Sequence, residues 1–243
     1  MTHYTESPAT ISSLPHGDRV RPSAGAGKNR TVSEAGQFID TALQREASWE
    51  RADDRGSGGL RIYGASVGAV RGAVRDALRR YRGMEHDAVL ALSSELWAVA
   101  VFERRLAAIV VLQSRLALLQ VTDLTRVEGF LRQGGRPELV DPLAIDVVGP
   151  LTDRLNQRDG DRAAVILDRW ATDVDPRLGR AALLSSLRPL RTGGGDWDGL
   201  VRRVKAARAA NREGAGRDVV GEAIELIARE LATARPELAV PPV

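Results

Sequence analysis

From Thr31 onward, apolar residues recur at spacings of three and four, and no window alternates convincingly as a strand would. In "VGAVRGAVRDALRRY", Val67, Val70, Val74 and Leu78 share one helical face, with Arg71, Arg75 and Arg79 beside it. "HDAVLALSSELW" follows, and then "FERRLAAIVVLQSRLALL", which is apolar enough for a buried helix. The same periodicity predicts helices over "LTRVEGFLRQ", "DPLAIDVVGPLTDRL", "DRAAVILDRWA", "RLGRAALLSSLRPL", "DWDGLVRRVKAARAAN" and "GRDVVGEAIELIARELATA". Thr31 and Glu34 have capping-box spacing and are expected to open the first helix, which runs toward Trp49. Breaks are expected at "RQGGRP", "QRDG" and "TGGGD". Roughly ten helices joined by short turns predict an all-α fold, an α-solenoid of stacked antiparallel helix pairs. The internal repeat is weak, so a globular helical bundle is the alternative.

One helical domain is expected over residues 31–238, between a disordered tail at 1–30 and a short C-terminal tail at 239–243. Within the first tail, "PSAGAGKN" is not a phosphate-binding loop. Pro22 stands where that motif needs Gly, and Asn29 where it needs Ser or Thr.

Composition narrows the function classes. The chain has 243 residues, 43% of them hydrophobic, enough for one sizeable core or a row of repeats. It has no cysteine, which excludes disulfides and cysteine metal sites. His3, His16 and His86 are far apart, so no metal site and no cofactor are expected. No run approaches the roughly 18 apolar residues of a membrane span. The opening residues lack a signal-peptide core. A monomeric cytoplasmic, nucleoid-associated protein is expected.

Net charge is only +3, but Lys28 and Lys205 are the only lysines, and the remaining bases are arginine. Arginine suits bidentate phosphate contacts, although high-GC codon usage gives the same bias. The charge is also segregated. Arg177, Arg180, Arg188, Arg191, Arg202, Arg203, Lys205, Arg208, Arg212 and Arg217 face only Asp196, Asp198 and Glu213 over the same segment, leaving it at +7. That pattern fits a nucleic-acid-binding face or, blandly, a solvated helix surface. Aromatic content of 4% argues against a dedicated single-strand binder. Lys205 lies in a solvated "RRVKAAR" face, which disfavours Schiff-base chemistry.

In "RPELVDPLAIDVVGPL", Asp141 stands inside a largely apolar run. Local chemistry reads it as a helix N-cap with Pro142 at the first helical position. The alternative is that Asp141 faces a reactive centre. Trp97 and Trp170 sit in apolar patterns and read as core. Trp49 and Trp197 lie at helix ends and are expected to be partly exposed, while Glu103 and Arg104 read as structural, pairing within or between helices.

Several segments, taken together, resemble the AlkD-like DNA alkylation-repair glycosylases. "IYGASVGAVRGAVRDALRRY" resembles their Tyr-Gly-Val opening, and "SSELWAVAVFERRLAAIVVL" their Leu-Trp element and Glu-Arg helix. "LVDPLAIDVVGPL" is similar to the Val-Asp segment, "LDRWATDVDPRLGRAALLSSL" to the Trp-Ala segment, and "VVGEAIELIARELATARPEL" to the closing helix. The likeness runs from about Ile62 to Leu238 with the motifs in order.

The resemblance implies a HEAT-like α-solenoid with a basic concave face. It also implies hydrolysis of the N-glycosidic bond of cationic N3- or N7-alkylpurines in double-stranded DNA. On that reading Asp141 is the catalytic carboxylate, stabilising the oxocarbenium ion and positioning water. Arg177, Arg180 and Arg229 match basic positions and become candidate phosphate contacts, with Arg202, Arg203 and Lys205 beside them. The family's two lesion-cradling tryptophans are replaced by Pro137 and Leu226. Those replacements imply a widened site suited to bulky adducts, or a catalytically inactive DNA-binding HEAT-like protein that recognises distorted or branched DNA. A protein-binding scaffold is a third reading, disfavoured by the basic segment.

Overall fold

The computed structural model describes residues 24–55 and 59–238. Regular structure among them is helical throughout, apart from an isolated bridge between Arg61 and Val101. The N-terminal half comprises α1 (Ala24–Arg45), α2 (Trp49–Arg55), α3 (Val67–Arg80), α4 (His86–Ala98), α5 (Phe102–Ser114) and α6 (Leu124–Gly134). The C-terminal half comprises α7 (Pro137–Leu143), α8 (Gly149–Asp153), α9 (Gln157–Ala171), α10 (Pro176–Leu184), α11 (Leu187–Arg191), α12 (Trp197–Ala210) and α13 (Ala215–Ala234). This all-helical arrangement agrees with an α-solenoid.

Many helix ends follow from local chemistry. Ser66, Asn156, Asp175 and Asp196 each precede a helix, and each side-chain oxygen accepts a first-turn backbone N–H. Gly135, at φ 71°, ends α6 in the left-handed conformation that glycine adopts without strain.

Four expectations change. α1 begins at Ala24, so Thr31 and Glu34 lie inside a helix rather than at its start. Trp49 opens α2 instead of closing α1. "QRDG" is not a break but the first turn of α9, capped by Asn156. "RLGRAALLSSLRPL" divides at Ser185 and Ser186 into α10 and α11. The remaining expected tail residues, 1–23 and 239–243, lie outside the described residues.

The Asp141 segment departs furthest from its local reading. α7 starts at Pro137 with Arg136 at the N-cap, so Asp141 is one turn inside and Pro142 follows within the helix. The N-cap reading of Asp141 is therefore corrected. Pro142 lacks the N–H an α-turn requires, and from Ala144 to Val148 the chain shifts into π-helical register before resuming as α8. Gly149 permits close packing here: a Cβ there would stand 2.3 Å from the Ser185 carbonyl oxygen. The close approach presses the end of the π-turn onto the end of α10.

α10 is the hub of the C-terminal half, packing against α6, α7, α9, α12, α13 and the π-turn. The predicted core tryptophans are both buried. Trp97 is buried and stacks on Phe130 at 4.6 Å. Trp170 is fully buried, and its indole N–H donates to Glu128 at 2.9 Å. Trp49 is exposed and Trp197 half-buried, as their helix-end positions suggested. Glu103 is fully buried and accepts the backbone N–H groups of Tyr63 and Gly64, while Arg104 pairs with Asp40 at 3.2 Å.

Two polar networks make stability depend on pH. His86 bonds through Nε2 to buried Asp123 at 2.9 Å and through Nδ1 to Asp87, and those two hydrogen bonds, Asp123's first, raise its pKa. Burial acts to raise the Glu128 carboxyl, but hydrogen bonds from Trp170 and Arg132 and the charge of Arg169 outweigh it and hold Glu128 low. Asp173 is held low chiefly by Arg132, which donates to both of its oxygens. The His86 contribution is thus complete below about pH 6.5 and fades as pH rises through its raised native value. The Glu128 and Asp173 contributions are complete above about pH 4.3 and fade as pH falls through their depressed native values. Urea midpoints measured from pH 3 to 9 should therefore fall on both flanks. His86→Gln should flatten only the alkaline flank, and an unchanged alkaline flank would remove His86 from this role.

Candidate active site around Asp141

Three helices converge on one guanidinium. Arg180, on α10, is 6% exposed, and its fork closes on Asp141 of α7, with Nε donating to Oδ1 at 2.7 Å and Nη2 to Oδ2 at 2.8 Å. Its remaining Nη1 donates to the Val219 carbonyl and to Glu222 Oε2 of α13, each at 3.2 Å. A planar fork matched to a carboxylate in this way fixes both position and orientation. The Asp141 hydrogen bonds, chief among the influences on Arg180, raise its pKa further and keep it charged. Asp141 itself is only partly covered, with 20% of its side chain exposed, and Glu222 is open at 64%. The carboxylate is thus fixed by Arg180 and still partly exposed.

The flanking positions follow from helix geometry. Pro137 lies one turn before Asp141 and is exposed, while Leu226 lies one turn after Glu222 and is half-buried against the core. Glu222, Leu226 and Arg229 succeed one another along one face of α13, spanning about 10 Å. Arg229 is exposed at the far end of that row.

Two expected phosphate contacts are corrected. Arg180 is buried and turned inward onto Asp141. Arg203 is 4% exposed, donating to Asp168 at 2.8 Å and to Ser186. A guanidinium buried beside its own carboxylate cannot reach a backbone phosphate without breaking that pair. Arg177, Arg202 and Lys205 retain exposed or half-exposed side chains. Arg177 forks onto Asp175 at 2.8 Å, and Arg202 approaches Asp196 at 3.8 Å. Arg188 and Arg191 pair with Asp146 and Glu230. Several bases of the +7 segment are thus balanced by carboxylates remote in sequence. The outermost of these pairs are solvated and weak, at about 0–1 kcal/mol, so phosphate could displace them.

Glu222 was not singled out by the sequence. Its only signal was position, one turn before Leu226 on the same face. Nothing in the sequence showed that Arg180 points there.

No group of three or more potential metal-ligating side chains occurs among the described residues, and none of their helices is long and apolar enough to cross a membrane. No curated protein matches the chain. The sequence profile of a family described as DNA alkylation repair enzyme matches residues 39–233, from within α1 nearly to the end of α13. That span contains Asp141, Arg180 and Glu222, and the chain belongs to the DNA alkylation repair enzyme family.

Proposed function

We propose that the protein is a monofunctional DNA glycosylase that hydrolyses the N-glycosidic bond of cationic N3- or N7-alkylpurines in duplex DNA, with Asp141 as its catalytic carboxylate. Family membership supports a role in DNA repair. The observation that carries the finer reading is the bidentate Arg180–Asp141 pair, which orients a carboxylate that stays partly exposed.

An alkylated purine already bears positive charge, so it departs as a neutral base without protonation. The C1′–N bond breaks with its electron pair going to the purine, and positive charge builds on the deoxyribose. Asp141 stabilises that charge and orients a water, whose oxygen bonds to C1′ while its proton passes to the carboxylate and then to solvent. Arg180 acts as a positioning residue behind Asp141, not as a phosphate contact. The helices pair as antiparallel HEAT-like repeats, and Arg177, Arg202, Lys205 and Arg229 engage the phosphate backbone from a basic concave face. Pro137 and Leu226, standing where the family has tryptophans, leave a wider site that suits bulky adducts.

The same two residues favour a second reading, a catalytically inactive binder of distorted or branched DNA, since a cation–π contribution of up to about 2 kcal/mol is lost with each aromatic wall. Release of free purine from duplex DNA, alkylated in parallel with a methylating and a bulky agent, separates the two. Release is expected, with the bulky adduct preferred. Salt-dependent binding without release from either DNA would establish the second reading.

A further inference from the structure

We propose that Glu222 is a specificity-determining residue, a second carboxylate by which the site recognises the positive charge of the lesion in place of aromatic walls. The inference rests on the glycosylase reading of the same site and adds to it a source of selectivity.

Charge counting at Arg180 motivates it. One guanidinium serves two carboxylates, with Nε and Nη2 committed to Asp141 and Nη1 to Glu222 and the Val219 carbonyl. Arg180 offsets the charge of one carboxylate, so the Asp141–Arg180–Glu222 cluster carries a net charge of −1. That excess sits at the open end, because Glu222 is 64% exposed while Arg180 is buried. An ion pair so exposed adds little to stability, and the Asp141 fork holds Arg180 without it. Its consequence is electrostatic: a negative charge beside a catalytic carboxylate favours a cationic purine on binding and an oxocarbenium ion in the transition state. Glu222 also precedes Leu226 by one turn on the same face of α13. It therefore stands next to the position where the resemblance places a missing aromatic wall. Carboxylates and aromatic faces are alternative ways of attracting a cation.

Two duplexes test this with the full chain: one carrying a 2′-fluorinated 7-methylguanine, which is cationic and resists cleavage, and one carrying 7-methyl-7-deazaguanine, its neutral isostere. Wild type should bind the cationic duplex about five- to tenfold more tightly. Glu222→Gln keeps an oxygen for Arg180 and should unfold at the wild-type midpoint, yet lose most of that preference. Glu222→Lys should abolish or reverse it. Release of 7-methylguanine from unmodified substrate should slow about tenfold in Glu222→Gln, mainly in kcat. A structural role would not change the ratio between two isosteric ligands at equal stability. Wild-type preference and rate in Glu222→Gln would overturn the inference while leaving Asp141 catalysis intact. A cation preference that Glu222→Gln removes, in a protein that releases no base, would keep the inference and sink the glycosylase reading.

Discussion

Asp141→Asn is expected to release alkylpurine about 10²–10³-fold more slowly than wild type, the usual effect of removing one preorganised electrostatic group, about 2.7–4 kcal/mol. The substitution keeps the shape of the side chain and removes its charge. It also turns an amide NH₂ toward the Arg180 fork, where Nε and Nη2 now find a carboxylate. Binding to undamaged DNA should remain salt-dependent at wild-type strength, because the side chains proposed to contact phosphate are elsewhere. A variant that releases base at the wild-type rate would end the assignment. One that has lost DNA binding as well would show that Asp141 acts on the fold.

Arg180→Met should lower folding stability by about 3 kcal/mol, read from urea denaturation. The change leaves Asp141 and Glu222 without their shared cation and strips the Val219 carbonyl of a donor at a junction of α7, α10 and α13. A partly exposed Asp141 can recruit water, so the loss falls at the low end for a broken buried pair. Base release should also fall, because the carboxylate is no longer oriented. The double variant Asp141→Leu with Arg180→Met separates the two effects. Replacing both members of a buried pair with apolar side chains should restore most of the stability, since neither leaves an unpaired charge. Catalysis should stay lost. A double variant as unstable as Arg180→Met would mean that the pair contributes through its surroundings and not through its charge.

α3, α4, α6, α12 and α13 stand within a residue or two of their predicted bounds, because an apolar stripe of period 3.6 and nearby turn residues encode them locally. α9 was predicted late because "QRDG" has the composition of a turn, while the Asn156 cap just before it outweighed that composition. Asp141 misled in the same way. An Asp-Pro step suits a helix start, but Pro137 offered an equally good one a turn earlier, and the chain runs through Pro142 inside α7 into a π-turn that packs against α10.

What the sequence determined by itself is therefore the helical class, the core tryptophans, most helix bounds and, through motifs in order, the family. The tertiary structure alone decided what the charges do. Arg180, Arg203 and Arg229 are indistinguishable as letters in the sequence, yet the first holds Asp141, the second is buried against Asp168, and the third faces solvent. Each of those ion pairs joins residues 35 or more positions apart. The strength of a charge–charge interaction depends on separation in space and on burial, and neither quantity is written in local sequence.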